Sequence, residues 1–147
     1  MKKEKTTKTY NEEQEFDFTV AWGEIYFADL GDIKNHEPGE LSGERPVIIT
    51  QNNYGNKFSP TVTIIPVTSS LKRRDLPTHL FLKKGTGGIF KDSIAQAEQI
   101  QTISKSKLKF YIGKLGLDEM KDLHTCLEIQ TGMEYIMDIE GGVTVED

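Results

Sequence analysis

Apolar residues fall in short, closely spaced runs along most of the chain, and their period changes only near its end. Phe18, Val20 and Trp22 alternate with Thr19 and Ala21, and residues 25–30 continue as a first strand. Residues 47–50 and 61–67 are rich in β-branched side chains and read as strands. Between them, residues 51–57 are polar, contain Gly55 and read as a loop. Residues 69–75 predict a short helical turn, and Leu76-Pro77 leads into a strand over 78–82. The run 83–88 reads as a glycine-rich turn between strands. Residues 93–97 and 98–103 read as two short strands or as one strand with a bend, 104–109 as a single helical turn, and 110–115 as a further strand.

From Leu117 the period becomes helical. Leu117, Met120, Leu123 and Leu127 recur at three- and four-residue steps, with Ile129 and Met133 broadening the stripe and Asp118 as the expected N-cap. Gly132 weakens the helix near its end. Many short strands followed by one terminal helix predict an α+β fold, mainly β. The expected form is a small, strongly bent, barrel-like antiparallel sheet with a packed C-terminal helix.

A chain of 147 residues suggests one domain, long enough to bury a core without staples. Residues 1–18 read as a flexible polar tail, 19–135 as the folded domain and 136–147 as an acidic tail. Residues 31–44, holding His36, Glu37, Pro38 and Gly39, form a loop long enough to suggest function. The single cysteine, Cys126, excludes an internal disulfide framework and points to the cytoplasm. No apolar run follows the lysine-rich N-terminus, so neither a signal peptide nor a membrane span is expected. The net charge of −5 argues against tight, sequence-independent binding of duplex DNA. The basic residues nonetheless cluster at Lys72-Arg73-Arg74, Lys83-Lys84 and Lys105, Lys107 and Lys109. Local potential matters more than the sum.

Candidate chemistry gathers between residues 43 and 68. If the strands at 47–50 and 61–67 pair antiparallel, Arg45 at the start of one lies beside Thr68 at the end of the other. A guanidinium beside a hydroxyl suits a phosphate. An arginine at a strand start is by default a surface residue in an ion pair, and a threonine at a strand end is by default structural.

The stretch Gly43-Glu44-Arg45-Pro46-Val47, the turn Phe58-Ser59-Pro60-Thr61 and the strand ending in Thr68 resemble the MazF/PemK (Kid) toxins of toxin–antitoxin pairs. Gly23-Glu24-Ile25-Tyr26-Phe27-Ala28-Asp29-Leu30, Leu76-Pro77-Thr78-His79 and Glu98-Gln99-Ile100 extend that resemblance over roughly residues 22–133. It implies an SH3-like barrel with a C-terminal helix, a homodimer, a cognate antitoxin and cleavage of single-stranded RNA. Arg45 matches the family's essential arginine and Thr68 its supporting Ser or Thr. Phe27 and Phe58 match positions at or near the RNA groove, Gln99 matches a position able to contact a base, Ser59 lies in the shared turn, Ser69 and Ser70 add donors after Thr68, and Glu37 lies in the long loop, which reads either as a solvated loop or as one that shapes or gates the groove. Gln101 stands where relatives often carry an arginine, and the loop at 31–44 departs from the family's compact glycine-rich form. Two rival readings remain: a gyrase-poisoning toxin of the same fold, like CcdB, and a non-catalytic SH3-like interaction module.

Other chemistry is weaker. His36, His79 and His124 show no sign of converging as an acid–base pair, and His79 reads as structural. One Cys and three scattered His give no zinc spacing, so no metal and no cofactor are expected. Lys83-Lys84-Gly85-Thr86-Gly87-Gly88 lacks the Gly-Lys-Ser/Thr ending of a phosphate loop. Cys126 reads as a small core residue.

Overall fold

A computed structural model describes residues 19–32 and 41–140. The expected tail at 1–18, the residues 33–40 with Glu37 and His36, and the segment 141–147 lie outside the described residues. Seven strands run in the order β1 (Glu24–Asp29), β2 (Glu44–Ile49), β3 (Thr61–Thr68), β4 (His79–Leu82), β5 (Ser93–Gln96), β6 (Gln101–Ser104) and β7 (Leu108–Lys114). Helix α1 (Asn53–Phe58) joins β2 to β3, and α2 (Leu117–Gln130) and α3 (Met133–Glu140) end the described chain.

The sheet is antiparallel, with neighbours β4-β5-β3-β2-β1-β7. β3 organises it. One of its edges pairs with β2 from Ile64 to Pro66; the other pairs with β6 over Thr61–Ile64 and with β5 at Val67 and Thr68. The first strand pairs with the last, Glu24 opposite Lys114 and Phe27 opposite Phe110, through two register shifts that accentuate the twist.

β2 and β3 are continuous apolar runs because both their faces are covered. Ile25, Ile48, Ile65 and Val67 pack with Leu82, Met120, Leu123 and Cys126 under α2. Tyr26, Val47, Ile49, Ile64 and Leu108 form a second cluster with Val20 and Val62. Such burial is worth roughly 1.5–3 kcal/mol for each large aliphatic side chain.

The ends of the sheet do not close into a ring by strand pairing among the described residues. Instead the turn Thr86–Gly88 lies against β7. A Cβ on Gly113 would stand 2.0 Å from the Gly87 carbonyl oxygen, so only glycine permits this contact.

Several local expectations need correcting. The connection at 51–57 is not a loop: Asn52 caps α1 by accepting from the Gly55 N–H, a signal the single glycine obscured. Residues 93–103 are two strands separated by a single helical turn, Ala97–Gln99. Gly116, not Asp118, is the N-cap of α2, and Leu117 begins the helix 63% exposed instead of joining its buried stripe. Gly132, at φ +81°, ends α2 in the left-handed conformation of a C-terminal cap. Helix α3 then runs across the expected domain end at residue 135 as far as Glu140. Its apolar residues Tyr135, Ile136, Met137 and Ile139 are all exposed.

Candidate nucleic-acid interface

β2 and β3 bring the two residues of interest together. Their ladder ends at Val47 opposite Pro66. Two residues further along each strand come Arg45 and Thr68, the geometry that antiparallel pairing demands. Both line an open cavity of about 380 Å³ with Phe27, Ser69 and Ser70. Its remaining wall comes from β2 (Glu44, Pro46), from Val67 of β3, and from the β4–β5 connection and the start of β5 (Ile89, Phe90, Lys91, Ser93).

Arg45 is half-buried and oriented from one side only. Its Nε and Nη2 donate to the Ser42 carbonyl at 3.0 and 2.6 Å. Burial lowers its pKa from the ordinary arginine value. Among the described residues no carboxylate pairs with it, and Nη1 carries no bond. A planar cation with one edge anchored and the other free suits an incoming phosphate. The nearby acid, Glu44, is engaged by Lys109 from β7, and that hydrogen bond raises the pKa of Lys109. Thr68 Oγ1 accepts from the Ser70 N–H at 3.2 Å, which holds the 68–70 turn while leaving the hydroxyl proton to donate. Phe27 stacks on Phe110, ring centroids 5.0 Å apart and planes 16° from parallel.

Arg45, Thr68, Phe27, Ser69 and Ser70 therefore converge as the sequence suggested, while three further residues do not. Phe58 and Ser59 close α1 at the start of β3, and Thr68 ends that strand. Roughly 20 Å of strand separates them. There Phe58 is 63% exposed and packs on Tyr54 at 4.9 Å, and Ser59 bonds Thr61 at 2.9 Å. Gln99 does not line the cavity; its Oε1 accepts from the Leu41 N–H at 3.4 Å. Gln101 donates to the Gln99 carbonyl at 3.3 Å. Sequence reasoning missed Phe90, Lys91 and Ser93. The only local signal was an aromatic–lysine pair between a glycine turn and a strand, and long-range pairing of β5 with β3 brings it to the cavity.

The two described histidines are occupied elsewhere. His79 joins the Arg73 carbonyl at 2.7 Å and Glu98 at 2.6 Å, tying the basic turn to the sheet. His124 rests against Trp22 on α2, ring centroids 5.8 Å apart. Cys126 is buried, which pushes its thiol pKa up. Among the described residues no three or more His, Cys, Asp or Glu side chains group as metal ligands. No described helix is long and apolar enough to cross a membrane.

Residues 21–131 match the pattern of the PemK-like, MazF-like toxins of type II toxin–antitoxin systems. The chain belongs to this family. It is 37% identical over 114 residues to the endoribonuclease MazF of Staphylococcus saprophyticus, covering 78% of this chain and 92% of that one. Two solved structures share its fold. One is an endoribonuclease in complex with its cognate antitoxin from a mycobacterial species, at 24% identity and TM-score 0.64, covering 78% of this chain and 97% of that one. The other is MazF from Deinococcus radiodurans, at 18% identity and TM-score 0.66, covering 80% of this chain and all of that one. The PemK/MazF match ends at residue 131, so α3 lies beyond it.

Proposed function

We propose that this protein is a toxin that cuts single-stranded RNA without a metal ion, by attack of the 2′-hydroxyl on the adjacent phosphorus. The observation that carries this reading is the free guanidinium edge of Arg45, in one cavity with the Thr68 hydroxyl. In the reaction a P–O2′ bond forms and the P–O5′ bond breaks. The proton leaves the 2′-hydroxyl and another arrives on the 5′-oxygen. The products are a 2′,3′-cyclic phosphate and a free 5′-hydroxyl.

Charge grows on the non-bridging phosphate oxygens as phosphorus becomes five-coordinate. Arg45 meets that charge from a partly desolvated position, where each donor is worth more than in water. The hydroxyl of Thr68, with Ser69 and Ser70 beside it, holds the phosphate in line for attack. Phe27 walls the same cavity, next to the scissile bond. Phe58, Ser59 and Gln99 are met only by an RNA strand that runs on past the cavity. The donor set favours a metal-free route: the cavity's acid, Glu44, is bound to Lys109, and its other polar groups are a guanidinium, hydroxyls and an ammonium.

The relatives' names, an endoribonuclease and an endoribonuclease with its cognate antitoxin, support the same reading. The active form is then a cytoplasmic homodimer, and an antitoxin bound over its groove holds it inactive. The direct test is incubation of a mixed-sequence single-stranded RNA with the protein in excess EDTA. Cleavage is expected to persist, and the 5′ end of the downstream product is expected to accept label from polynucleotide kinase without phosphatase treatment. Loss of cleavage in EDTA, or products blocked by a 5′-phosphate, would refute the mechanism.

A further inference from the structure

We propose that Phe90 and Lys91 form a nucleotide subsite beside the scissile phosphate, with the ring under a base and the ammonium on the neighbouring phosphate. The inference rests on reading the cavity as an RNA site. Both residues line that cavity with Arg45 and Thr68, and both are exposed.

The backbone on both sides of them is anchored. Ile89 is buried, and its carbonyl accepts from the Gly85 N–H at 2.8 Å while its N–H donates to Thr86 at 3.1 Å. Asp92 Oδ1 accepts from the Lys84 N–H at 2.8 Å. The buried Ser93 donates to the Lys91 carbonyl at 2.7 Å. The turn just before them is wedged against β7 at Gly113.

On this fixed support sits a phenylalanine ring 63% exposed, which contributes little to the fold. Beside it is a lysine with no carboxylate partner among the described residues. A preorganised aromatic face loses little entropy when a base stacks on it. Arg45, Phe90 and Lys91 line one cavity, the cations carried by different parts of the chain, β2 and the β4–β5 connection, and the ring next to Lys91 in sequence. A single strand that alternates phosphates and bases offers a partner to each of these cations and to the ring. A ring accepts any base and an ammonium any phosphate, so the subsite supplies affinity more than sequence choice.

The test compares wild type with Phe90→Ala, Phe90→Leu, Phe90→Trp and Lys91→Ala on one single-stranded RNA. Cleavage gives kcat and KM. Binding is measured on the same RNA carrying a 2′-deoxy sugar at the scissile position. Phe90→Ala and Phe90→Leu are expected to raise KM and Kd roughly 5- to 150-fold with kcat within about twofold. Phe90→Trp should restore both. Lys91→Ala should flatten the dependence of log affinity on log salt by about 0.7. Melting temperatures should match wild type, because the ring is outside the core. A wild-type protein that neither cuts nor binds RNA would overturn the cavity reading together with this one. Wild-type cleavage with an unchanged KM in Phe90→Ala would overturn the subsite alone. So would weakened binding of an antitoxin with unchanged RNA kinetics, which would assign the ring to a protein partner.

Discussion

Replacing Arg45 with alanine separates chemistry from folding, and the structure sets both magnitudes. Among the described residues the side chain bonds only the Ser42 carbonyl, from Nε and Nη2. Losing them should cost about 1 kcal/mol. Ser42 is half-buried, so water can reach its carbonyl in part, and removing a desolvated cation offsets some of the loss. Net stability should stay within about 1 kcal/mol, or roughly 2–4 °C in Tm. The effect on chemistry is far larger. The free edge offers Nη1 and the second Nη2 proton to a phosphate that gains charge in the transition state. Each such donor contributes about 10²–10³ in rate, and two acting together should give a loss of about 10³–10⁵, or roughly 4–7 kcal/mol. Arg45→Lys keeps the charge but not the fork, and should recover only a small part of that loss. The assay is single-turnover cleavage of an end-labelled RNA beside a thermal melt of each variant. An Arg45→Ala protein that cleaves within tenfold of wild type would refute the assignment. So would a variant whose inactivity tracks a large fall in Tm, because the loss would then be one of folding.

Three other outcomes are expected. Gly113→Ala drives a Cβ to 2.0 Å from the Gly87 carbonyl, where backbone must yield, and should cost about 3 kcal/mol or more, a fall of roughly 6–12 °C in Tm; an unchanged melt would show that the turn does not bear on β7. Lys105 is buried with its ammonium donating to the Asn56 carbonyl, and burial lowers its pKa below 10.5. Over the interval between that lowered value and 10.5 the unfolded chain holds a proton the folded one has released, so stability from urea unfolding should rise with pH there, and Lys105→Met should flatten the rise; superimposable profiles would contradict this. Sedimentation equilibrium at micromolar concentration should give twice the 16.6 kDa chain mass, and a strictly monomeric protein that cuts RNA would remove the homodimer from the proposal.

What the sequence revealed and what it hid divide by range. Arg45 and Thr68 were legible because two adjacent antiparallel strands with a short connection place the start of one beside the end of the other. The continuous apolar runs at 47–49 and 64–67 announced central strands for the same local reason. Phe58 and Ser59 stand apart from the cavity because they share a connection with β2 and β3 but sit at its far end, at the close of a helix capped by Asn52. The stripe on α2 was legible except at its start. Leu117 falls on the helical period, yet the turn after β7 leaves it in solvent while Met120, Leu123 and Cys126 meet the sheet. Phe90 and Lys91 were hidden because nothing local distinguishes them from an ordinary surface loop. Their meaning comes from β5 pairing with the last two residues of β3, a contact between distant parts of the chain.

The pairing of the first strand with the last also governs when this protein becomes complete during its own synthesis. β1 carries Phe27 and flanks Arg45 through Ala28, yet its other edge waits for β7, and the ring that stacks on Phe27 is Phe110. Nearly all the intervening chain must leave the ribosome before that wall of the cavity exists. At roughly 5–20 residues per second this takes several seconds, and pairing of distant strands is slow in itself. A nascent chain thus stays unfinished at its candidate site while the ribosome and the messenger it is reading are still within reach.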